Sequence, residues 1–290
     1  MPSPESDVPG FEDEDLSATV TKLNRIKAKN RARLANSELT RAFLNSGLAL
    51  TKDVFSLGGG DPAESVPPTL AYLSRPRVLS RAREDYPELV PTEAKFRDRW
   101  AGHQDFLEDF VAYALFARHA SMRRALTEWS KELLTAGTDF ATAVHRIAYE
   151  GAKLVLELPA YRLQLLTIAS AAADPEVSRS IKRMYSSLTA SWFELYEQIA
   201  DSFELALRPG VSAWQLNVIL QSVSEGLGVR LLAGVDEPLL DHERRESVLG
   251  TAALALFVSL LDNGDGLTLE QAANRQFSRP RKSSGQRGIR

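Results

Sequence analysis

The sequence predicts an all-α fold. Apolar residues recur at three- and four-residue spacing over most of the chain, sustained strand-like alternation is missing, and so is the turn every 8–12 residues that marks an all-β chain. The 290 residues correspond to one large or two ordinary domains, and 44% hydrophobic with 25% charged residues is a soluble globular balance.

The elements follow in order. Met1–Asp15 holds three prolines and six acids with few large apolar residues, and residues 1–21 read as an acidic disordered tail without a signal peptide. A first helix starts at Ser37 and carries Leu39, Phe43, Leu44 and Leu48 on one face; Gly47 weakens it, and Gly58-Gly59-Gly60-Asp61-Pro62 ends it. Thr69–Asp85 contains a second helical segment interrupted by Pro76, and Tyr86-Pro87 forces a turn. A short helix over Pro91–Trp100 places Phe96 and Trp100 four apart, able to pack inward together. Longer helices follow over about 104–118, 122–136, 140–158, 161–172, 175–206, 212–233 and 241–261. Val248–Leu261 is apolar around nearly its whole circumference, so it needs cover on two sides. Residues 271–290, with six bases and no acid, read as a basic disordered tail.

No run reaches the roughly 18 apolar residues of a membrane span, so no membrane partner is expected. The lack of cysteine removes thiol chemistry and fits a reducing, cytoplasmic interior. Other catalytic and metal patterns are missing too. The histidines at 103, 119, 145 and 242 form no His-x-x-x-His pair, and no Gly-x-Ser-x-Gly elbow or phosphate-cradling loop occurs. Aligning Gly266 to the glycine of a calcium loop puts Leu261 and Ala272 at ligand positions, which excludes that site. No catalytic residues, metal or cofactor are expected, and the chain reads as a binding protein rather than an enzyme.

The net charge of −3 hides four blocks: −6 over residues 1–15, +6 over 22–103, −9 over 104–270 and +6 over 275–290. Phosphate affinity depends on the local cluster rather than the sum, so the second block is the place to look for a nucleic-acid partner. It begins with a basic arm, Lys22, Arg25, Lys27, Lys29, Arg31 and Arg33, suited to phosphates or a minor groove. Next come a long helix, a helix, a turn, the short helix 91–100 and another long helix. That is the layout of a three-helix unit whose third helix enters the DNA major groove.

Here the sequence resembles the TetR family of bacterial transcriptional regulators. Pro91-Thr92-Glu93-Ala94-Lys95-Phe96-Arg97-Asp98-Arg99-Trp100, running into Ala101-Gly102-His103-Gln104-Asp105-Phe106-Leu107, is similar to the family's recognition helix and the start of its fourth helix. Residues 216–230 and 248–261 are similar to its last two helices, which pair across a two-fold axis into a four-helix dimer bundle. The resemblance spans about residues 37–270. It implies a basic arm and helix-turn-helix domain over 22–103, and a ligand-binding and dimerisation domain over 104–270. Thr92, Lys95 and Arg97 fall on positions that touch bases or phosphates, and His103 where a phosphate-binding lysine often sits. Arg99 and, on the arm, Lys29, Arg31 and Arg33 complete the expected DNA-binding set. The chain departs from the pattern in an insertion-like stretch, Gly58–Pro76, in Tyr86–Val90 where a short glycine-containing turn is usual, and in the acids Glu93 and Asp98 near the DNA face.

Trp129, His145, Tyr149, Trp192 and Tyr196 combine apolar bodies with polar tips, as ligand-pocket walls do. The expected function is a homodimeric transcriptional regulator that binds a near-palindromic double-stranded DNA operator and responds to an unknown small-molecule effector. The alternative is a helical dimer that binds a small molecule or partner protein without recognising DNA.

Overall fold

The computed structural model describes residues 14–24, 27–55, 70–170, 175–235 and 238–278. The fold is all-α. Among the described residues the helices are α1 (Ala28–Ala35), α2 (Glu38–Phe55), α3 (Arg75–Asp85), α4 (Glu93–Arg97), α5 (His103–Thr135), α6 (Phe140–Glu157), α7 (Pro159–Ser170), α8 (Pro175–Ser202), α9 (Ala213–Leu232), α10 (Val248–Leu260) and α11 (Leu269–Phe277). A two-stranded antiparallel hairpin, β1 (Leu240–Asp241) with β2 (Glu246–Ser247), precedes α10. No helix among the described residues is long and apolar enough to cross a membrane.

Several expectations are corrected. Pro76 does not interrupt a helix; it lies in the first turn of α3, where its missing N–H costs no hydrogen bond. The segments 104–118 and 122–136 are one helix, because neither glycine nor proline breaks the chain between His103 and Thr135. The charged run 241–246 forms the tip of the hairpin, turning through 242–245 with Arg245 left-handed at φ 55°, and the helix starts only at Val248, capped by Ser247. The basic arm is partly helical, as α1. The tail expected over 271–290 is helical as far as Phe277: Thr268 and Gln271 cap each other's backbone N–H groups and start α11. The other end of the chain differs as well. Residues 14–21 are not a loose tail, since Leu16 and Val20 are completely buried. The Gly58–Pro62 stop, Arg25, most of the acidic segment and residues 279–290 lie outside the described residues.

The chain divides into two compact units, residues 1–128 with 153–191, and residues 129–152 with 192–290. The cuts fall inside α5, α6 and α8.

In the first unit, α2 packs against α3 and α7. Its interior is an aromatic cluster: Phe43 meets Phe96 at 5.2 Å and Trp100 at 6.1 Å between ring centroids, and Phe106 lies 5.1 Å from each of Phe96 and Trp100. Edge-on and tilted packing suits the ring quadrupoles. Gly47 is required inside α2 because a Cβ there would fall 2.6 Å from the Phe110 ring. Arg162 of α7 donates to the Phe55 carbonyl at 2.5 Å, satisfying an orphan acceptor at the end of α2.

In the second unit, α9 packs on α10. Buried Arg208 donates to the Ser259 carbonyl at 2.8 Å and pairs with Asp265 at 2.7 Å, fixing the segment after α8 to the end of α10 and the loop leading to α11. Gly250 admits α6 closely: a Cβ there would fall 2.5 Å from His145 Nδ1.

Candidate DNA-contacting surface and effector region

The expected recognition element is α3, a turn, and α4. A 3₁₀ turn (Pro87–Leu89) leads to Val90, left-handed at φ 49° and ψ 63°. This conformation is rare for a β-branched residue, so the chain carries strain where glycine would be at ease. The turn is held from two sides. Lys95 Nζ donates to the carbonyls of Leu89 and Val90 at 3.0 and 3.1 Å, and Arg83 Nε donates to that of Pro91 at 3.0 Å. Thr92 then caps α4, its hydroxyl accepting the Lys95 N–H at 3.2 Å. Phe96 and Trp100, both fully buried, fasten α4 to the aromatic cluster.

The expected DNA-binding side chains therefore divide. Arg97 is exposed and pairs with Glu93 at 2.6 Å, an i,i+4 contact. Lys95 is half-buried with its ammonium on the turn carbonyls. His103 stacks on Phe106, and burial, then the Arg75 charge, lowers its pKa. Arg99 corrects the expectation. It is only 8% exposed, with Nε on the Thr40 hydroxyl at 2.9 Å, Nη1 on the Lys95 carbonyl at 2.7 Å, and its guanidinium 5.9 Å from the Phe43 ring centre. It belongs to the core, because its aliphatic stem and planar head fill space between α2 and α4 while its donors find acceptors there.

On the arm, Lys29 and Arg33 are exposed while Arg31 is half-buried. Lys27 and Arg77, outside the expected set, are also exposed. Both were legible as members of basic runs: Lys27 within the arm, Arg77 beside Arg75 around Pro76.

Asp109, on α5, is 1% exposed and organises the surface from behind. It accepts the Trp100 indole N–H at 2.8 Å and the backbone N–H groups of Thr21 and Lys22 at 2.8 and 2.9 Å. Burial pushes its carboxyl up to about 6, against the lowering effect of those donors. The sequence pattern did not single it out, because its partners lie up to 88 residues away.

In the second unit, three of the five expected pocket residues come together. Trp129 lies 6.4 Å from Trp192, which stacks on Tyr196 at 5.8 Å; Tyr196 continues to Phe257 at 6.2 Å. Phe257, Phe140 and Phe203 extend the row. His145 and Tyr149 serve other contacts. His145 packs against Gly250, its Nδ1 buried without a hydrogen-bond partner. Tyr149 shares a 2.8 Å hydrogen bond with His242 of the hairpin, beside an Arg245–Glu150 ion pair. No group of three or more His, Asp or Glu that could hold a metal ion occurs among the described residues.

The outer faces of α9 and α10 are uncharged over most of their length. Ile219, Ser222, Gly226 and Val229 are exposed on α9, and Val248, Thr251, Ala255 and Val258 on α10. Their three- and four-residue spacing makes one stripe on each helix.

No protein-family model matches the sequence, and no curated protein and no solved structure matches it.

Proposed function

We propose that the protein is a homodimeric, ligand-responsive DNA-binding regulator similar to the TetR family, with α3, the turn and α4 as its helix-turn-helix. The observation that carries this reading is the placing of α4: a short capped helix, anchored from within by Phe96 and Trp100, that leads into the long α5 and leaves Arg97 exposed, with the basic helix α1 following the segment bonded to its end. Arg97, Arg77 and the arm residues Lys27, Lys29 and Arg33 meet phosphates, while Thr92 and Lys95 orient the element.

The dimer forms through α9 and α10. At 1.5 Å per residue and about 10 Å of width per helix, two such stripes cover on the order of 300 Å², the apolar centre of an interface that typically buries roughly 800 Å² per partner. Their lack of charge fits a surface that meets a copy of itself. The aromatic row Trp129–Trp192–Tyr196 binds the effector, and a ligand that prefers one separation of the two recognition helices shifts binding and release.

A second reading, a helical dimer that binds a small molecule or partner protein without DNA recognition, draws on the Glu93–Arg97 pair and on Lys95 being occupied by the turn. Arg97→Glu separates the two. Lost DNA affinity with the dimer intact supports the regulator; no DNA affinity in either the wild type or the variant supports the second reading.

A further inference from the structure

We propose that residues 14–24 are a strap that positions the basic helix α1 beside α4, with Asn24 as the positioning residue, so that a duplex phosphate backbone meets α1 and α4 as one surface. This rests on the DNA-binding reading above.

The strap is built into the first unit rather than laid on it. Leu16, Val20 and Leu23 are buried. Its start is tied where Asn36 Oδ1 accepts the Leu16 N–H at 2.8 Å, and its middle where Asp109 accepts the Thr21 and Lys22 N–H groups. Its end reaches the recognition element. The Asn24 N–H donates to the Arg99 carbonyl at 2.7 Å, and Asn24 Nδ2 donates to the Arg97 carbonyl at 2.6 Å. Carbonyls at the end of a helix lack intrahelical donors, and Asn24 supplies two.

Covalent reach then limits where α1 can begin. Lys27 lies three residues past Asn24, so their Cα atoms are at most about 11 Å apart. Four bases, Lys27, Lys29, Arg31 and Arg33, fall within seven residues without an acid. The recognition helix contributes almost no net charge, because Glu93 and Asp98 offset Lys95 and Arg97. Counterion release follows the number of phosphates neutralised, so the salt dependence of DNA binding comes chiefly from the arm, and Asn24 sets where the arm sits.

The test uses the full chain and a random-sequence duplex of about 30 base pairs, whose backbone term needs no operator. Affinity is followed by fluorescence anisotropy against salt for the wild type, Asn24→Ala and the double variant Lys29→Ala/Arg33→Ala. The double variant is expected to flatten the slope of log K against log salt by about 2. Asn24→Ala is expected to flatten it by about 1 to 2 with Lys29 and Arg33 still present. An unchanged slope for Asn24→Ala, or for the double variant, overturns the inference and leaves the DNA-binding reading standing. A wild type without salt-dependent affinity overturns the reading itself, and the inference with it. Hydrogen exchange on the wild type gives the same test without substitution: the duplex slows exchange over residues 27–35 and at the Asn24 amide, and slowing confined to residues 92–103 overturns the strap.

Discussion

The buried carboxylate of Asp109 accepts the indole N–H of Trp100 at 2.8 Å, joining the residue that follows α4 to the start of α5. The same carboxylate holds two backbone amides of the strap. Its carboxyl is raised from the ordinary value of 3.8 to about 6, so the native state holds the proton more tightly than the unfolded chain does. The stability this group contributes is present at low pH and is withdrawn as pH rises through 6. Wild type relative to Asp109→Asn is therefore expected to gain about 1 kcal/mol in urea unfolding between pH 7 and pH 5. A constant difference across that range contradicts the role given to Asp109.

Val90 stores strain that glycine would release. A left-handed non-glycine residue costs roughly 1–2 kcal/mol, and glycine costs roughly 0.5–1 kcal/mol of chain entropy. Val90→Gly is expected to be neutral to about 1 kcal/mol more stable, measured by thermal unfolding, although it removes an apolar side chain.

Arg97 and Arg99, two residues apart, are expected to behave oppositely. Arg99→Ala removes buried charge-assisted hydrogen bonds and the packing on Phe43, and costs about 2–3 kcal/mol of stability. Arg97→Ala breaks an exposed ion pair, leaves stability within about 0.5 kcal/mol, and lowers DNA affinity at least several-fold. Unfolding curves and duplex anisotropy on both variants check this.

Val258 is 78% exposed on α10. Val258→Arg is expected to convert the proposed dimer to a folded monomer in sedimentation equilibrium, with unfolding by urea retained. A dimer that survives this substitution removes α10 from the interface.

Helix periodicity made most of the fold legible. The spacing of Leu39, Phe43, Leu44 and Leu48 gave α2, and the pair Phe96–Trp100 gave the inward face of α4. What stayed hidden depended on contacts between distant segments. Leu16, Val20 and Leu23 also keep helix-like spacing, but they follow a run of acids, and nothing local says that Asp109 will hold them. Arg99 has the composition of a surface residue; only the acceptors on Ser37, Thr40 and Lys95 make it a core one. The Thr268–Gln271 capping box that starts α11 stands directly before the bases of the C-terminal segment, whose composition alone reads as a tail. Among the five expected pocket residues the residue types were readable, while the partners were not: Trp192 and Tyr196 share one helical face, whereas His145 and Tyr149, also four apart, turn to Gly250 and His242.

The most direct test of the central claim is the affinity of the purified full chain for DNA as a function of salt. Duplex binding is expected to weaken linearly in log–log form as salt rises, steeply enough for several phosphate contacts, and to be markedly weaker in Arg97→Glu. Absent or salt-independent affinity for duplex DNA, in a dimer that is correctly folded, would contradict it.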